Sequence, residues 1–239
     1  MTLHRFRYLD ALIHVFVVVL MISNLVGPKI VAIGPFRISG AQLLFPITYI
    51  FGDIFTEVYG YAASRRAIWT GFFASALLSV MGMIAVALPP APDWTGQEAF
   101  ATVFNFVPRM VVASLLAYWA GEFSNAFVMA KLKLLTKGRH LWVRTIGSTA
   151  VGQAVDTTVV MIIAFAGSLS PSLIVTLIIS GYLGKVLYEA AATPITYAVV
   201  NFLKRKEGVD VFDYATDFNP FALGGSRQTP HRAGSPAAD

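Results

Sequence analysis

Six apolar runs, each near the roughly 20 residues that cross a bilayer as a helix, dominate this sequence. The bilayer core offers no water to the backbone, so a spanning segment must satisfy its own hydrogen bonds, which runs of this length do as α-helices. The sequence therefore predicts an all-α integral membrane protein, a bundle of six transmembrane helices. The predicted spans are Tyr8–Val31, Gly40–Gly60, Ala67–Leu88, Phe106–Ala130, Trp142–Ala166 and Pro171–Phe202.

Basic residues flank these runs unequally, with twelve on one side and two on the other. The first group is Arg5, Arg7, Arg65, Arg66, Lys131, Lys133, Lys137, Arg139, Arg144, Lys204, Arg205 and Lys206, and the second is Arg37 and Arg109. Loops rich in Lys and Arg stay in the cytoplasm. We therefore expect both the N-terminus and the C-terminus to be cytoplasmic, as an even number of spans requires.

The chain divides into two parts by composition. Residues 1–206 hold the six spans and form the transmembrane domain, and residues 207–239 form a cytoplasmic C-terminal tail. After Phe221 the tail is rich in Gly, Ser and Pro, a composition typical of disorder.

Composition and motifs exclude several classes of function. Only 13% of the residues are charged, about half the share of soluble domains, and there is no cysteine for a disulfide or a thiolate metal site. The net charge of +5 follows from the membrane topology, so we expect lipid contacts and no nucleic-acid partner. The chain has no nucleotide-binding loop and no HExxH or GxSxG motif, and its four histidines are scattered. The sequence thus predicts no catalytic residue, metal site or cofactor, and a protein that is not an enzyme.

Polar side chains inside the spans mark the candidate site. A charged residue at the bilayer centre costs roughly 2.5–3.5 kcal/mol on insertion scales, so such residues commonly line a substrate path. Several share one helix face at spacings of three or four residues. We expect them to line a single polar cavity near the midplane that binds a small molecule. The candidate residues are Asn24, Gln42, Tyr49, Asp53, Glu57, Glu122, Asn125, Gln153, Asp156, Thr157, Lys185 and Glu189.

Other roles stay open for single members of this set. A lone Asn or Gln commonly makes a contact between helices, worth on average about 0.6 kcal/mol. Glu57 would equally fit an interfacial position paired with Arg65 or Arg66. Asp156 and Lys185 are expected to form an ion pair within the site.

The ordered set of motifs resembles the bacterial and archaeal queuosine-precursor transporter family, also labelled putative vitamin uptake transporters. The resemblance covers nearly the whole chain and excludes the last part of the tail. The matching stretches are SNLVGPK (Ser23–Lys29), FPITYIFGDIFTEVYG (Phe45–Gly60), QAVDTTVVMIIAFAG (Gln153–Gly167), KVLYEAAATPITYAVV (Lys185–Val200) and EGVDVFD (Glu207–Asp213).

This resemblance implies a six-span protein of the bacterial inner membrane that imports 7-cyano- or 7-aminomethyl-7-deazaguanine for the tRNA base queuosine. The family-like polar positions are Asn24, Asp53, Asp156, Thr157 and Lys185. The chemistry is compatible, because a carboxylate can accept from both donors of a guanine-like edge. The excess of carboxylates over lysines in the spans favours the aminomethyl compound at least as much as the cyano compound.

Two alternatives remain at this stage. Substrate-binding subunits of ATP-driven vitamin or purine uptake systems also have six spans and need a separate energising module. An intramembrane enzyme could use paired carboxylates as acid and base, but the motifs for it are missing. The sequence leaves open whether transport is coupled to an ion, and what the oligomeric state is, a homodimer included.

Overall fold

The computed structural model describes residues 6–26, 29–33, 36–40, 44–104, 108–222 and 230–232. Within these residues the chain is mostly helical, with two small antiparallel sheets, β1–β2 and β3–β4. The elements in chain order are α1 (Leu9–Val26), β1 (Ile30–Ile33), β2 (Phe36–Ser39), α2 (Phe45–Tyr59), α3 (Tyr61–Ala87), α4 (Gln97–Phe104), α5 (Pro108–Leu135), α6 (Leu141–Phe165), α7 (Pro171–Glu207), β3 (Val209–Val211) and β4 (Pro230–Arg232).

Five stretches are long and apolar enough to cross a membrane: Leu9–Val26, Tyr61–Ala87, the stretch Gln97–Leu135 that holds α4 and α5, Leu141–Phe165 and Pro171–Glu207. This agrees with a helical multi-pass membrane protein. The second predicted span corresponds to α2, which has 15 residues and rises about 22 Å, less than the roughly 30 Å of a hydrocarbon core. The count of six spans and the orientation of the bundle therefore stay predictions.

The chain between the first two predicted spans differs from the expectation. The first span was predicted to reach Val31, but α1 ends at Val26 and an antiparallel hairpin follows, with Ile30 opposite Ser39. The second span was predicted to begin at Gly40, but α2 begins at Phe45, with a proline in its first turn. A short apolar run rich in Val and Ile suits a strand as well as a helix, so hydropathy alone does not separate the two.

The basic segment Tyr61–Arg66 was predicted as a loop and is instead the start of α3. Gly60 alone separates α2 from α3, with φ 83° and ψ 170°. A side chain is strained at positive φ, so glycine at this position breaks the helix within one residue. Arg65 and Arg66 therefore lie on the first turns of a membrane helix.

Two further segments carry more structure than predicted. The segment between the third and fourth predicted spans contains the short helix α4, Gln97–Phe104. The tail begins with β3, which pairs with residues 230–232, inside the segment predicted to be disordered. Just after β3, the carboxylate of Asp213 accepts a hydrogen bond from the Tyr61 main-chain N–H at 3.0 Å. The chain from 209 to 222 thus packs on the bundle.

α5 and α6 approach closely because glycines face each other. A methyl group built on Gly121 would lie 3.1 Å from the Gly152 carbonyl oxygen, and one built on Gly152 would lie 3.0 Å from the Gly121 carbonyl oxygen. Small residues allow this approach between membrane helices. It brings Asn125 of α5 and Asp156 of α6 to the same seam, since each lies beside the opposite glycine.

The interior between α1, α2 and α3 is apolar, and so is much of the exposed surface. Phe16, Phe55 and Val58 are at most 2% exposed in the main cluster. Large apolar side chains such as Phe73 and Leu77 are 63% exposed on α3. Apolar faces on both sides of a helix are expected where one side meets lipid.

Candidate functional site

A cavity of about 360 Å³ lies among α1, α2, α3, α5, α6 and α7. Its wall carries amides, hydroxyls, carboxylates and one ammonium group besides apolar side chains. Small-molecule sites in proteins commonly have volumes of about 300–1,000 Å³. Seven of the twelve predicted site residues line it: Asn24, Tyr49, Glu122, Asn125, Gln153, Asp156 and Lys185.

The sequence reasoning missed the hydroxyl groups of this wall. The additional polar lining residues are Thr48, Ser75, Ser79, Ser114, Tyr118 and Thr149. Ser114 and Tyr118 continue the face of Glu122 at four-residue steps, and Thr149 precedes Gln153 by four. This four-residue spacing is the sequence signal that could have identified these hydroxyl groups as lining residues. α3 was not expected to contribute, yet Asn24 Nδ2 of α1 donates to Ser75 Oγ at 3.3 Å.

The predicted ion pair between Asp156 and Lys185 is present at the wall. Lys185 Nζ lies 2.6 Å from Asp156 Oδ2, with both side chains about a quarter exposed. The same ammonium group lies 3.4 Å from Thr157 Oγ1. Thr157 is buried and does not line the cavity, so its hydroxyl group contacts the Lys185 ammonium group on the side away from the cavity.

Glu122 is a cavity carboxylate that enters none of the ion pairs among the described residues. Asn125 and Gln153 each present a buried side-chain oxygen without a hydrogen-bond partner in the described chain. A buried acceptor left unpaired costs about 1–3 kcal/mol. These three residues therefore form a patch of acceptors that calls for a donor from a ligand or from water.

Four predicted site residues do not line this cavity, and one lies outside the described residues. Thr157, Asp53, Glu57 and Glu189 are buried behind the wall or beyond it. Gln42 lies outside the described residues. Asp53 of α2 and Glu189 of α7 are both 0% exposed and interact with each other.

Glu57 lies one turn beyond Asp53 on α2 and forms the centre of an ion-pair cluster. Its carboxylate accepts from Arg144 of α6 at 2.7 Å and 3.0 Å, and from Lys204 of α7 at 2.6 Å. Lys133 of α5 donates to the Glu57 main-chain oxygen and lies 3.8 Å from its carboxylate. The four helices α2, α5, α6 and α7 are thus joined at this level.

The expected pairing of Glu57 with Arg65 or Arg66 is wrong. Arg65 donates to the carbonyl oxygens of Asp217 and Asn219, at 2.9 Å and 3.0 Å. Arg66 pairs with Asp10 at 2.9 Å on the surface. Both arginines follow Gly60, and the change of direction there turns them away from Glu57.

Asp210 of β3 adds a second carboxylate to the cluster. Its Oδ1 lies 2.6 Å from Lys133 Nζ and 2.9 Å from Lys204 Nζ. Burial alone would raise the pKa of Asp210, but the two ammonium groups outweigh it and hold this pKa below its ordinary value. The strand after α7 is therefore fixed electrostatically to α5 and α7.

No group of three His, Asp or Glu side chains in the described part of the chain has the arrangement of a metal site. The described wall of the cavity offers acceptors, hydroxyl groups and one ammonium group. Such a wall suits reversible binding of a polar small molecule.

Comparison with known proteins gives the family context. Residues 39–199, more than half of the chain, match the family described as "Putative vitamin uptake transporter". The "Probable queuosine precursor transporter" of Bacillus subtilis (strain 168) is 28% identical over 186 residues, covering 77% of this chain and 81% of that protein. No solved structure matches the chain significantly.

Two further relatives carry similar names. The "Queuosine precursor transporter" of Escherichia coli (strain K12) is 27% identical over 143 residues, 60% of this chain and 62% of that protein. The "Probable queuosine precursor transporter" of Haemophilus influenzae is 27% identical over 136 residues, 57% of this chain and 55% of that protein. The match thus spans between about half and four fifths of each relative.

Proposed function

Because this chain belongs to the family of transporters described as "Putative vitamin uptake transporter", we propose that it imports a 7-deazaguanine precursor of queuosine through the cavity described above. The names of the three relatives support the class of substrate. Precursor taken up in this way would serve the salvage of queuosine for tRNA.

The observation that carries this proposal is the patch of acceptors on the cavity wall, formed by the unpaired side-chain oxygens of Asn125 and Gln153 and by Glu122, which enters no ion pair among the described residues. A guanine-like edge presents an N1–H and an exocyclic amine as parallel donors beside one carbonyl oxygen. The carboxylate of Glu122 can accept from both donors. The amides can accept through oxygen or donate to the carbonyl through nitrogen. A site built this way rejects ligands that leave its acceptors unpaired.

Aromatic side chains and the ion pair supply the remaining contacts. Tyr49 and Tyr118 line the cavity and offer flat faces on which a bicyclic base can stack. The Lys185 ammonium group can donate to a nitrile, and the Asp156 carboxylate can accept from an aminomethyl cation. Asp53 and Glu189 do not line the cavity, so its wall carries two carboxylates, Glu122 and Asp156, and one ammonium group, Lys185. This balance still favours a cationic ligand. We therefore infer binding of both precursors, the aminomethyl compound at least as tightly, and both better than guanine.

The proposed placement in the inner membrane has six crossings, with α2 as the short second one. Glu207 at the end of α7 accepts from the main-chain N–H groups of Arg7 and Tyr8 just before α1, at 3.0 Å and 2.8 Å. The beginning and the end of the bundle are therefore on one side, as an even number of crossings requires. The excess of basic residues favours the cytoplasm for that side.

In this orientation the cavity occupies the outer half of the bundle, and the Glu57 cluster closes the cytoplasmic half. The lining of α5 runs from Met110 to Asn125, the half of the helix opposite Lys133. Import then requires the ion pairs of Glu57 with Arg144 and Lys204 to separate while the outer side closes. With the Glu57 cluster formed, the cavity is closed toward the cytoplasm, which is the arrangement of an outward-facing or an occluded state.

A complementation experiment tests the proposal. Cells that make neither precursor nor their own importer should regain queuosine in tRNA when this chain is expressed and a precursor is supplied. The variant Glu122→Gln should fail at low precursor concentration, and the exposed Glu98→Gln should behave as wild type. No queuosine with the wild-type chain, at normal expression, would contradict the proposal.

Purified protein in liposomes separates a solitary transporter from a subunit of an ATP-driven system. Uptake or exchange of labelled precursor by this chain alone supports the first. Binding without any transport would support the second. The names of the relatives describe transporters, and we propose the first of these two outcomes.

A further inference from the structure

The carboxyl groups of Asp53 and Glu189 form a pair that substrate recognition does not use. Both residues are 0% exposed, and their side chains interact across the seam between α2 and α7. None of their four oxygens has a hydrogen-bond partner of normal distance and angle in the described chain. Glu57, one turn along α2, contacts three cationic groups instead. Among the described residues, the chain thus places three cationic groups beside one buried carboxylate of α2 and forms no ion pair with its neighbour Asp53.

Two carboxylates in contact away from water cannot both be ionised, because repulsion adds to the loss of hydration. The state described here therefore holds at least one proton on the pair. Loss of that proton would place like charges across the contact between α2 and α7. Occupancy of the pair by a proton is for this reason tied to how these two helices pack.

The pair lies between the cavity and the Glu57 cluster. Asn125 interacts with Asp53 and also lines the cavity, and Glu122 is the next cavity group that interacts with Asp53. Asp53 therefore adjoins two residues of the cavity wall. On the far side of Asp53 along α2 lies Glu57, whose ion pairs close the opposite end of the bundle.

Charged groups lie on several of the elements around the pair. α5 contributes Glu122, α6 contributes Asp156, α7 contributes Glu189 and Lys185, and α2 itself contributes Glu57. Cations on neighbouring elements have carboxylate or carbonyl partners: Lys185 with Asp156, Arg65 with two carbonyl groups, Arg66 with Asp10, and Lys133, Arg144 and Lys204 with Glu57. The nearest groups that interact with Asp53 are thus mainly acidic.

We propose that Asp53 and Glu189 together form a proton-binding site that couples uptake of the substrate to entry of a proton. One proton binds the pair from the outer cavity while the site is open to that side. It leaves to the cytoplasm after the helices rearrange, together with the substrate. This rests on the proposed function, since it assigns the driving force of that same transport.

The experiment uses purified full-length chain in liposomes and labelled 7-cyano-7-deazaguanine, a neutral probe. Two quantities are measured: exchange of precursor at equal pH on both sides, and accumulation driven by an acidic exterior. Wild type should show both, with up to about tenfold accumulation per unit of pH difference for one proton per substrate. Uptake should also make a weakly buffered exterior more alkaline.

The variants Asp53→Asn and Glu189→Gln mimic the protonated pair without a titratable proton. Each should keep exchange at near wild-type rates and lose accumulation driven by the pH gradient. Glu98→Gln on the exposed surface of α4 is the matched control and should keep both.

The outcomes separate the two proposals. Absence of exchange by wild type contradicts the proposed function itself. Exchange by wild type without accumulation under the pH gradient, or uptake without proton movement, overturns proton coupling alone. Accumulation by either neutral variant overturns the assignment to this pair. Loss of exchange together with accumulation in both variants also overturns it, because the pair would then serve binding or folding.

Discussion

The Arg144 guanidinium donates to both oxygens of the Glu57 carboxylate, from Nη2 to Oε1 at 2.7 Å and from Nε to Oε2 at 3.0 Å. Neither side chain is more than 1% exposed. This bidentate geometry is specific to arginine, because a lysine offers a single point charge. The pair connects α2 to α6 across 87 residues of sequence.

Removing the charge of Glu57 should destabilise the bundle strongly. Glu57→Gln leaves Arg144 without its carboxylate partner and leaves Lys204 with Asp210 alone, and breaking a buried ion pair costs about 3–5 kcal/mol. Thermal unfolding in detergent should show a large drop in Tm. Asp10→Asn is the matched control, because the Asp10–Arg66 pair is more than half exposed and such pairs contribute about 1 kcal/mol or less. Equal effects of the two substitutions would contradict this role.

Asp210 should contribute stability that depends on pH. Its pKa is lowered in the folded state, so its ionised form favours folding. The contribution is fully present above the unfolded pKa of about 3.9 and is lost as pH falls through the lower folded value. The stability difference between wild type and Asp210→Asn should be large at pH 7 and shrink below about pH 4. A difference that stays constant across this range would show that Asp210 acts without its charge.

Cavity substitutions should weaken uptake without unfolding the protein. Glu122→Gln removes a charge-assisted acceptor, worth on the order of 1.5–3 kcal/mol, or roughly tenfold to more than a hundredfold in half-saturating concentration. Asp156→Asn should also raise the half-saturating concentration, since it removes the ion-pair partner of Lys185 as well. Asp93→Asn, on an exposed loop, should leave uptake kinetics unchanged. Wild-type uptake by both cavity variants, at equal expression, would exclude this cavity as the substrate path.

Membrane topology is testable because the chain contains no cysteine. A cysteine at Arg139, between α5 and α6, should react with an impermeant thiol reagent only after cells are opened. A cysteine at Asp93, between α3 and α4, should react from outside intact cells. The reverse pattern would invert the proposed orientation, and labelling of both from outside would contradict the span count.

Hydropathy located the membrane helices well, because burial in lipid requires apolar residues along the whole span. It failed near Ile30–Ile33, where four apolar residues form a strand, since length and neighbouring turns rather than hydropathy decide between strand and helix. Hydropathy also does not indicate the start of α3 at Tyr61, because Arg65 and Arg66 lower the mean hydropathy of its first turns. Gly60 marks the break, but its positive φ is visible only in three dimensions.

The candidate site was predictable to the extent that charge inside a span is unusual. Glu122, Asp156 and Lys185 stand out for this reason, and all three line the cavity. Hydroxyl groups such as Ser114 do not stand out, because Ser and Thr in helices commonly bond to their own backbone, as Thr176 Oγ1 does with the Ser172 carbonyl. The partners of Glu57 come from distant helices, so sequence proximity suggested the wrong arginines.

The carboxylate of Glu207 receives the N–H groups of Arg7 and Tyr8, just before α1, and the hydroxyl group of Tyr59 at 3.0 Å. It occupies the positive end of the α1 dipole, where a negative group is stabilising. A ribosome makes α1 first and Glu207 some two hundred residues later. The N–H groups of Arg7 and Tyr8 can therefore bond to Glu207 only after the last helix has been made. The contact that joins the two ends of the bundle consequently forms late in synthesis, and nascent chains released before residue 207 should be substrates for membrane quality control.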